Sequence, residues 1–524
     1  MLFKKIFKFK YQLVSLFLLL PLYIFLYKII IPKTNSFGCF DDCFNYVGGY
    51  FILKGKHLYS DIYFNHQFIP AYISFFIQAI SHPQNIYELL LRHRQFVLLF
   101  GFIFNVIFIL RFGPRFIFFS LLFETSKYYL FGTRFLGETI AIYPLIYLAG
   151  ITFEKIRKEK IFKIDFILIP IFAWFVIFSR EPYTIAAFFI FAIFLWGKFS
   201  KIKLFSIFIF LALTFVGVFY HNFSDYYFNL ITINTSQVLG NELKNNQVFG
   251  IGGIKGFFYP LSLLLPGNWN LFKELLLGID VIFLSGFFML LKKGQMKLAL
   301  YIFLLFGLSN LRSGIPGRIY FEAFNDLVWF GIFVFSTIYL LKIFKNNTMI
   351  IGSCVALSFL FMFFIFSKEN YRFEKINTQE AFLTNYGELL QYGEVVKVLS
   401  NPKDTLFVDG GDDLVYWQAN RLSPYKYSWY TSFMKSFPKY SNERIKMFKN
   451  SPPDFYKEYG SCPKKSEISG YSLPDFVKND YERFYSEGKP TCLYVSKKKL
   501  SEISKEKLDI AKKWLFELQP KQEL

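Results

Sequence analysis

"YQLVSLFLLLPLYIFLYKIII" runs from Tyr11 to Ile31 and contains one charged residue, Lys28. The hydrocarbon core of a bilayer is crossed by about 20 apolar residues in an α-helix, so this stretch reads as a membrane span. Comparable runs recur along a chain of 524 residues that is 54% hydrophobic and 22% aromatic, with 73 Phe. A soluble fold would bury its apolar residues at helix or strand period rather than in uncharged windows of about 20, so soluble enzyme classes are excluded. Ahead of the span, "MLFKKIFKFK" is basic and no small-residue cleavage site follows, the pattern of an uncleaved anchor with a cytoplasmic N-terminus.

The net charge of +21 raises the question of nucleic acid. Lys and Arg, however, fall in short clusters between apolar segments, where they set topology, and no nucleic-acid partner is expected. The clusters are 4–10, 111–115, 154–160, 197–203, 292–297 and 342–347. Placing all of them in the cytoplasm demands an odd number of crossings between Pro32 and Arg111, where two apolar pieces, 67–81 and 95–110, are found. The first, at roughly 14 residues, is short for a span and is assigned to the interface or a re-entrant turn, leaving 33–90 as a first outer loop. Further spans are expected near 116–131, 138–153, 164–179, 183–197, 204–220, 272–291, 298–311, 322–341 and 349–366. Together these make about eleven crossings.

The expected fold is therefore an α-helical polytopic membrane domain over 1–367, followed by an extracytoplasmic domain over 368–524. That second part is sharply more polar, with strand-like "TLFVDG" and "TCLYVS" and helix-like "KEKLDIAKKWLFEL", and reads as a small α/β domain. Heavy Phe, Ile and Lys usage suits an AT-rich bacterial genome, hence a bacterial cytoplasmic membrane. Two cysteine pairs, Cys39/Cys43 and Cys462/Cys492, are either bridged or free, depending on the compartment they face.

On this topology polar residues gather at one membrane face. They are Asp41 and Asp42; Arg92, His93 and Arg94 of "RHR"; Arg134 and Glu138 of "GTRFLGET"; Arg180 and Glu181 of "SREP"; and Arg312, Arg318 and Glu322 of "LRSGIPGRIYFE". Each costs about 2.5–3.5 kcal/mol near membrane depth, so a group on one face points to a shared cavity. A carboxylate there takes a proton from an incoming hydroxyl or amine, or holds a divalent cation. Arginines bind a phosphate bidentately and stabilise it as a leaving group. Plainer readings stand beside these. The Asp pair caps a helix, Arg92 and Arg94 snorkel to the interface, Arg134 and Glu138 pair along one helix, Arg180 and Glu181 mark a turn, and His66 is a solvated loop residue. Asp280 is either a mid-span functional group or a residue near a helix end.

The stretch "FGCFDDCFNYVGGYFILKGKHLYSDIYFNHQFIP", Phe37 to Pro70, resembles the first outer loop of the polytopic GT-C glycosyltransferases that use polyprenyl-phosphate-linked sugars. These include bacterial relatives of protein O-mannosyltransferases and of the aminoarabinose transferase of lipid A. Their loop reads Asp-Glu, an aromatic, "GxxxYxD" and then "HxP". The counterparts here are Asp41-Asp42, Tyr46, Gly55, Tyr59, Asp61, His66 and Pro70, with Asp42 in place of Glu and a longer His-to-Pro spacing. The Arg-headed run from Arg92, "RFLGETIAI", "SGIPGRIYFEAFNDL" and "DTLFVDGGDDLVYWQANRLSPYKYSW" are similar to later elements, although Glu322 and Ala323 stand where His-Tyr is expected.

The resemblance implies a GT-C-like fold and an inverting transfer. The acceptor, a glycan, lipid or protein, attacks the anomeric carbon, polyprenyl phosphate leaves, and Asp41 activates the acceptor with Asp42 in support. Arg92, Arg94, Arg134 and Arg318 are the candidates for the lipid phosphate, with Glu138, Tyr59, Asp61, His66 and Arg180 supporting. One branch of the family needs a divalent cation (Mg or Mn), for which Asp41 and Glu138 are the candidate ligands, and the other branch does not. Two other classes fit the composition. A lipid-linked-glycan flippase or other transporter predicts broken helices and polar groups at mid-membrane, and a non-catalytic envelope protein makes the Asp pair incidental.

Overall fold

The computed structural model describes residues 2–34, 38–39, 41–198, 200–235, 271–309, 311, 323–341, 378–411, 413–427, 437–459, 472–514 and 517–518. Within them the chain is mostly helical, and four helices are long and apolar enough to cross a membrane: Lys10–Lys33, Ile86–Phe112, Gly137–Ile156 and Lys201–Phe219. It is a membrane protein by that measure. The helices are α1 (Leu2–Ile30), α2 (Asp41–Leu53), α3 (Phe68–Ser81), α4 (Ile86–Phe112), α5 (Phe116–Ser126), α6 (Gly137–Ile156), α7 (Asp165–Ser179), α8 (Thr184–Leu195) and α9 (Lys201–Phe219). After these come helices Leu271–Lys292, Met296–Leu308 and Ala323–Leu341. Ten of the expected spans thus coincide with helices, and the one at 349–366 lies outside the described residues.

Three boundaries differ from the sequence reading, each for a local reason. The presumed outer loop 33–90 holds two helices, α2 and α3, packed on each other. Gly49 permits this approach, because a Cβ there would stand 2.7 Å from the Phe75 nitrogen and from Ser74 Oγ. The second long helix begins at Ile86 rather than near 95, since Asn85 caps it by accepting from the Glu88 nitrogen at 2.9 Å and Glu88 Oε2 accepts from Gln84 N at 2.9 Å. Arg92 and Arg94 are therefore inside α4, not at its end. Finally, α5 stops at Ser126 and a 3₁₀ turn, Lys127–Leu130, carries the chain on.

Aromatic rings fill the bundle. Phe108, Phe112, Phe116 and Phe119, from α4 and α5, pack on Phe335 at ring separations of 5.1–6.3 Å. One end of this bundle is tied by Arg111, which pairs with Glu154 at 2.6 Å and Asp165 at 2.9 Å. Tyr147 Oη also donates to Asp165 Oδ1 at 2.6 Å. The Asp pair lies at the start of α2, whose first turn favours acids by helix dipole.

The described residues from 378 to 518 include helices and a mixed five-stranded sheet, β1 (Leu406–Val408), β2 (Phe455–Lys457), β3 (Tyr481–Ser486), β4 (Lys489–Ser496) and β5 (Glu517–Leu518), in the order β1-β2-β4-β3-β5. The β1–β2 pair is parallel and the others are antiparallel. The two strand-like segments appear as β1 and β4, whereas the helix expected over "KEKLDIAKKWLFEL" stops at Lys513 and Glu517–Leu518 pairs with β3. This unit docks on the Asp41 end of the bundle. Trp417 Nε1 donates to Gln78 Oε1 at 2.8 Å, Tyr440 Oη to Asn229 Oδ1 at 2.9 Å, and the Ile86 nitrogen to Gln418 Oε1 at 3.0 Å.

Candidate functional site

Adjacent residues at the start of a helix point about 100° apart. Asp41 and Asp42 accordingly serve two different clusters.

Asp42 is completely buried. Arg134 grips it with two bonds, Nε to Oδ2 at 2.9 Å and Nη2 to Oδ1 at 3.1 Å, and Arg94 Nη2 reaches Oδ2 at 3.3 Å. Tyr46 Oη donates to the same oxygen at 3.3 Å. Burial pulls the Arg134 pKa down, while Asp42, Tyr386 and Tyr46 together raise it by more, so the guanidinium stands above its ordinary value. Arg94 Nη1 is buried and has no hydrogen-bond partner among the described residues. Arg94 and Arg134 line a cleft with Lys33, Thr34, Tyr128 and Thr133, beside the end of α1.

Asp41 is partly exposed, its side chain at 29%, and faces the other way. Arg180 Nη2 donates to its Oδ2 at 3.0 Å, and His66 Nε2 stands 3.8 Å from that oxygen. Arg180 also donates from Nε to Glu138 Oε1 at 2.7 Å and from Nη1 to His66 Nδ1 at 2.7 Å. Because Arg180 is the donor, His66 Nδ1 accepts and its proton sits on Nε2, toward Asp41. Burial lowers the Arg180 pKa, while Glu138, Glu181 and Asp41 raise it further than burial lowers it. Arg180 sits so close because residue 137 is glycine: a Cβ there would stand 2.7 Å from the Ser179 carbonyl oxygen and 3.1 Å from Arg180 Cδ. Gly137→Ala is expected to destabilise the fold by about 1–3 kcal/mol, read as a lowered thermal midpoint in detergent.

Asp41, Asp42, Arg94, Arg134, Glu138, His66 and Arg180 therefore come together from α2, α4, α6 and the segments between helices. Tyr59 and Asp61 shape the loop instead: Tyr59 Oη donates to the His66 carbonyl at 2.8 Å, and Asp61 Oδ2 accepts from the His57 nitrogen at 2.8 Å. Arg92 stands apart, exposed on α4, and donates to Gln95 Oε1 at 3.1 Å. Arg312, Arg318 and Glu322 lie outside the described residues. Asp280 falls mid-way along Leu271–Lys292, away from that helix's ends. Among the described residues no group of three or more His, Cys, Asp or Glu side chains is placed to hold a metal. Asp41 and Glu138 do not fit a shared ion as arranged, because the Arg180 guanidinium bridges them.

Two features escaped the sequence reading. Tyr386, from the C-terminal unit, is fully buried, and Arg134 and Asp42 both act on its hydroxyl. No local pattern announces such a long-range contact. The second is a buried network inside the bundle. Glu124 Oε1 accepts from Asn105 Nδ2 at 2.8 Å and Tyr143 Oη at 2.7 Å, and Glu124 Oε2 pairs with Lys127 at 2.6 Å. Two opposite charges three residues apart within an apolar run were its signal. Cys39 and Cys43 are bridged, Cys492 is disulfide-bonded, and Cys462 lies outside the described residues.

Compared with known proteins, the chain matches no family model and no curated sequence.

Proposed function

We propose that the protein is a multi-pass membrane glycosyltransferase of GT-C type that moves a sugar from a polyprenyl-phosphate donor to an extracytoplasmic acceptor, with inversion. One observation carries this reading: the adjacent acids at the start of α2 divide, partly exposed Asp41 being held by Arg180 and His66 while buried Asp42 holds two arginines that line a cleft, where Arg94 Nη1 has no hydrogen-bond partner among the described residues. Asp41 takes the proton of the acceptor O–H or N–H as its heteroatom bonds to the anomeric carbon. The bond from that carbon to the phosphate oxygen breaks, and the electron pair leaves on the phosphate, which Arg94, Arg134 and Lys33 stabilise. Asp42 acts indirectly, by holding those arginines.

About eleven crossings, with the Asp41 end and residues 368–524 outside, complete the proposal. The Cys39–Cys43 bridge supports that sidedness, since disulfides persist in oxidising compartments. Transport is the second reading, favoured by the buried Glu124–Lys127 network, because ionisable groups among membrane helices often mark a translocation path.

The test is transfer of radiolabelled sugar from a panel of polyprenyl-phosphate sugars in membranes, with and without EDTA. Chelator-insensitive transfer from one donor is expected, as Arg180 already bridges the two candidate ligands. No transfer from any donor, alongside uptake of a lipid-linked glycan into vesicles, would establish transport instead.

A further inference from the structure

The two carboxylates can serve different clusters only if the start of α2 keeps its rotation. A shift of that first turn would swing Asp42 away from Arg94 and Arg134 and Asp41 away from Arg180. The chain holds this turn by an unusual means. Cys39, just before the helix, is bonded to Cys43, one turn inside it, with Cα atoms 5.4 Å apart, and both acids fall within the ring so closed. Cys43 is buried at 7% exposure, so the ring is anchored in the core, while Cys39 is exposed. Next to it, the Gly38 carbonyl accepts from Arg134 Nη2 at 2.7 Å, the same nitrogen that holds Asp42 Oδ1. A ring this short removes less unfolded-chain freedom than a long one, so its effect is local.

We infer that the Cys39–Cys43 disulfide is the positioning device of the acidic pair, and that its reduction releases Asp42 from its arginines. Exposed Cys39 offers the point of attack for an external thiol. Dithiothreitol supplies two electrons and two protons, the S–S bond breaks to two thiols, and the reagent closes to its own cyclic disulfide. The positioning claim stands on the geometry alone; its consequence for catalysis rests on the transferase reading.

Carbodiimide-driven coupling of an amine, mapped by peptide mass spectrometry on the full chain in detergent, tests the inference directly. In oxidised protein Asp41 is expected to couple and Asp42 to be protected. After reduction, and in the Cys39→Ser/Cys43→Ser double variant, Asp42 coupling is expected to rise by about tenfold or more as the turn opens locally. Asp165, equally buried at the far end of the bundle, is expected to stay protected in both. Unchanged Asp42 protection overturns the inference, and so does loss of Asp165 protection, which would mean that the bridge supports the whole fold. A parallel transfer assay on Asp41→Asn separates the two ideas. If Asp42 is released but Asp41→Asn transfers like wild type, the positioning device stands and the transferase reading falls. If Asp42 stays protected while Asp41→Asn is inactive, the reverse holds.

Discussion

Asp41→Asn is expected to lower sugar transfer by about 10²- to 10⁴-fold, the usual contribution of a general base, with the same amount of folded protein. Asparagine has nearly the same shape and can still accept from Arg180 Nη2, but it cannot take a proton from the acceptor. Arg180 is not stranded by the change, because Glu138 Oε1 remains 2.7 Å from its Nε. The buried Arg180 thus keeps a carboxylate partner, and the variant is expected to melt close to wild type. The measurement is the initial rate at saturating donor across a pH series. Transfer by Asp41→Asn at the wild-type rate would remove Asp41 from the chemistry and with it the reading of the site.

Much of this site is legible in the sequence because charge is so rare there. In a chain whose apolar runs hold few ionisable groups, Asp41, Arg134, Glu138 and Arg180 stand out one by one, and the expected alternation of basic clusters puts them at one end. That expected topology already gathers them at one face. What topology does not encode is direction within a turn: the sequence treats Asp41 and Asp42 as a unit, whereas helical geometry sends them to separate partners. Arg92 and Arg94 show the same limit. Two positions apart on a helix, they cannot face one way, and only Arg94 enters the cluster. The helices of 33–90 were hidden for another reason: α2 is short and carries two acids and two glycines, so hydropathy reads it as loop although its length is buried against α3. Tyr386 lies beyond any local rule, since docking of the C-terminal unit brings it to Arg134.

Asp42→Ala, one residue from the catalytic candidate, is expected to act through stability instead. Arg94 and Arg134 are 4% and 5% exposed, and Asp42 is the carboxylate that both bind. Taking it away leaves two guanidinium groups in a site that water barely reaches, and breaking a buried pair in this way costs about 3–5 kcal/mol. Against a typical net stability of about 5–15 kcal/mol, that is enough to lower the yield of folded protein sharply. The check is the thermal midpoint in detergent, together with a variant that removes the stranded charges as well. Asp42→Ala/Arg94→Met/Arg134→Met is expected to recover a large part of the lost stability while remaining inactive, because an apolar replacement of a buried ion cluster is often neutral to the fold. If Asp42→Ala melts like wild type, the cluster is hydrated rather than sealed, and Asp42 is then free to share the acceptor's proton with Asp41.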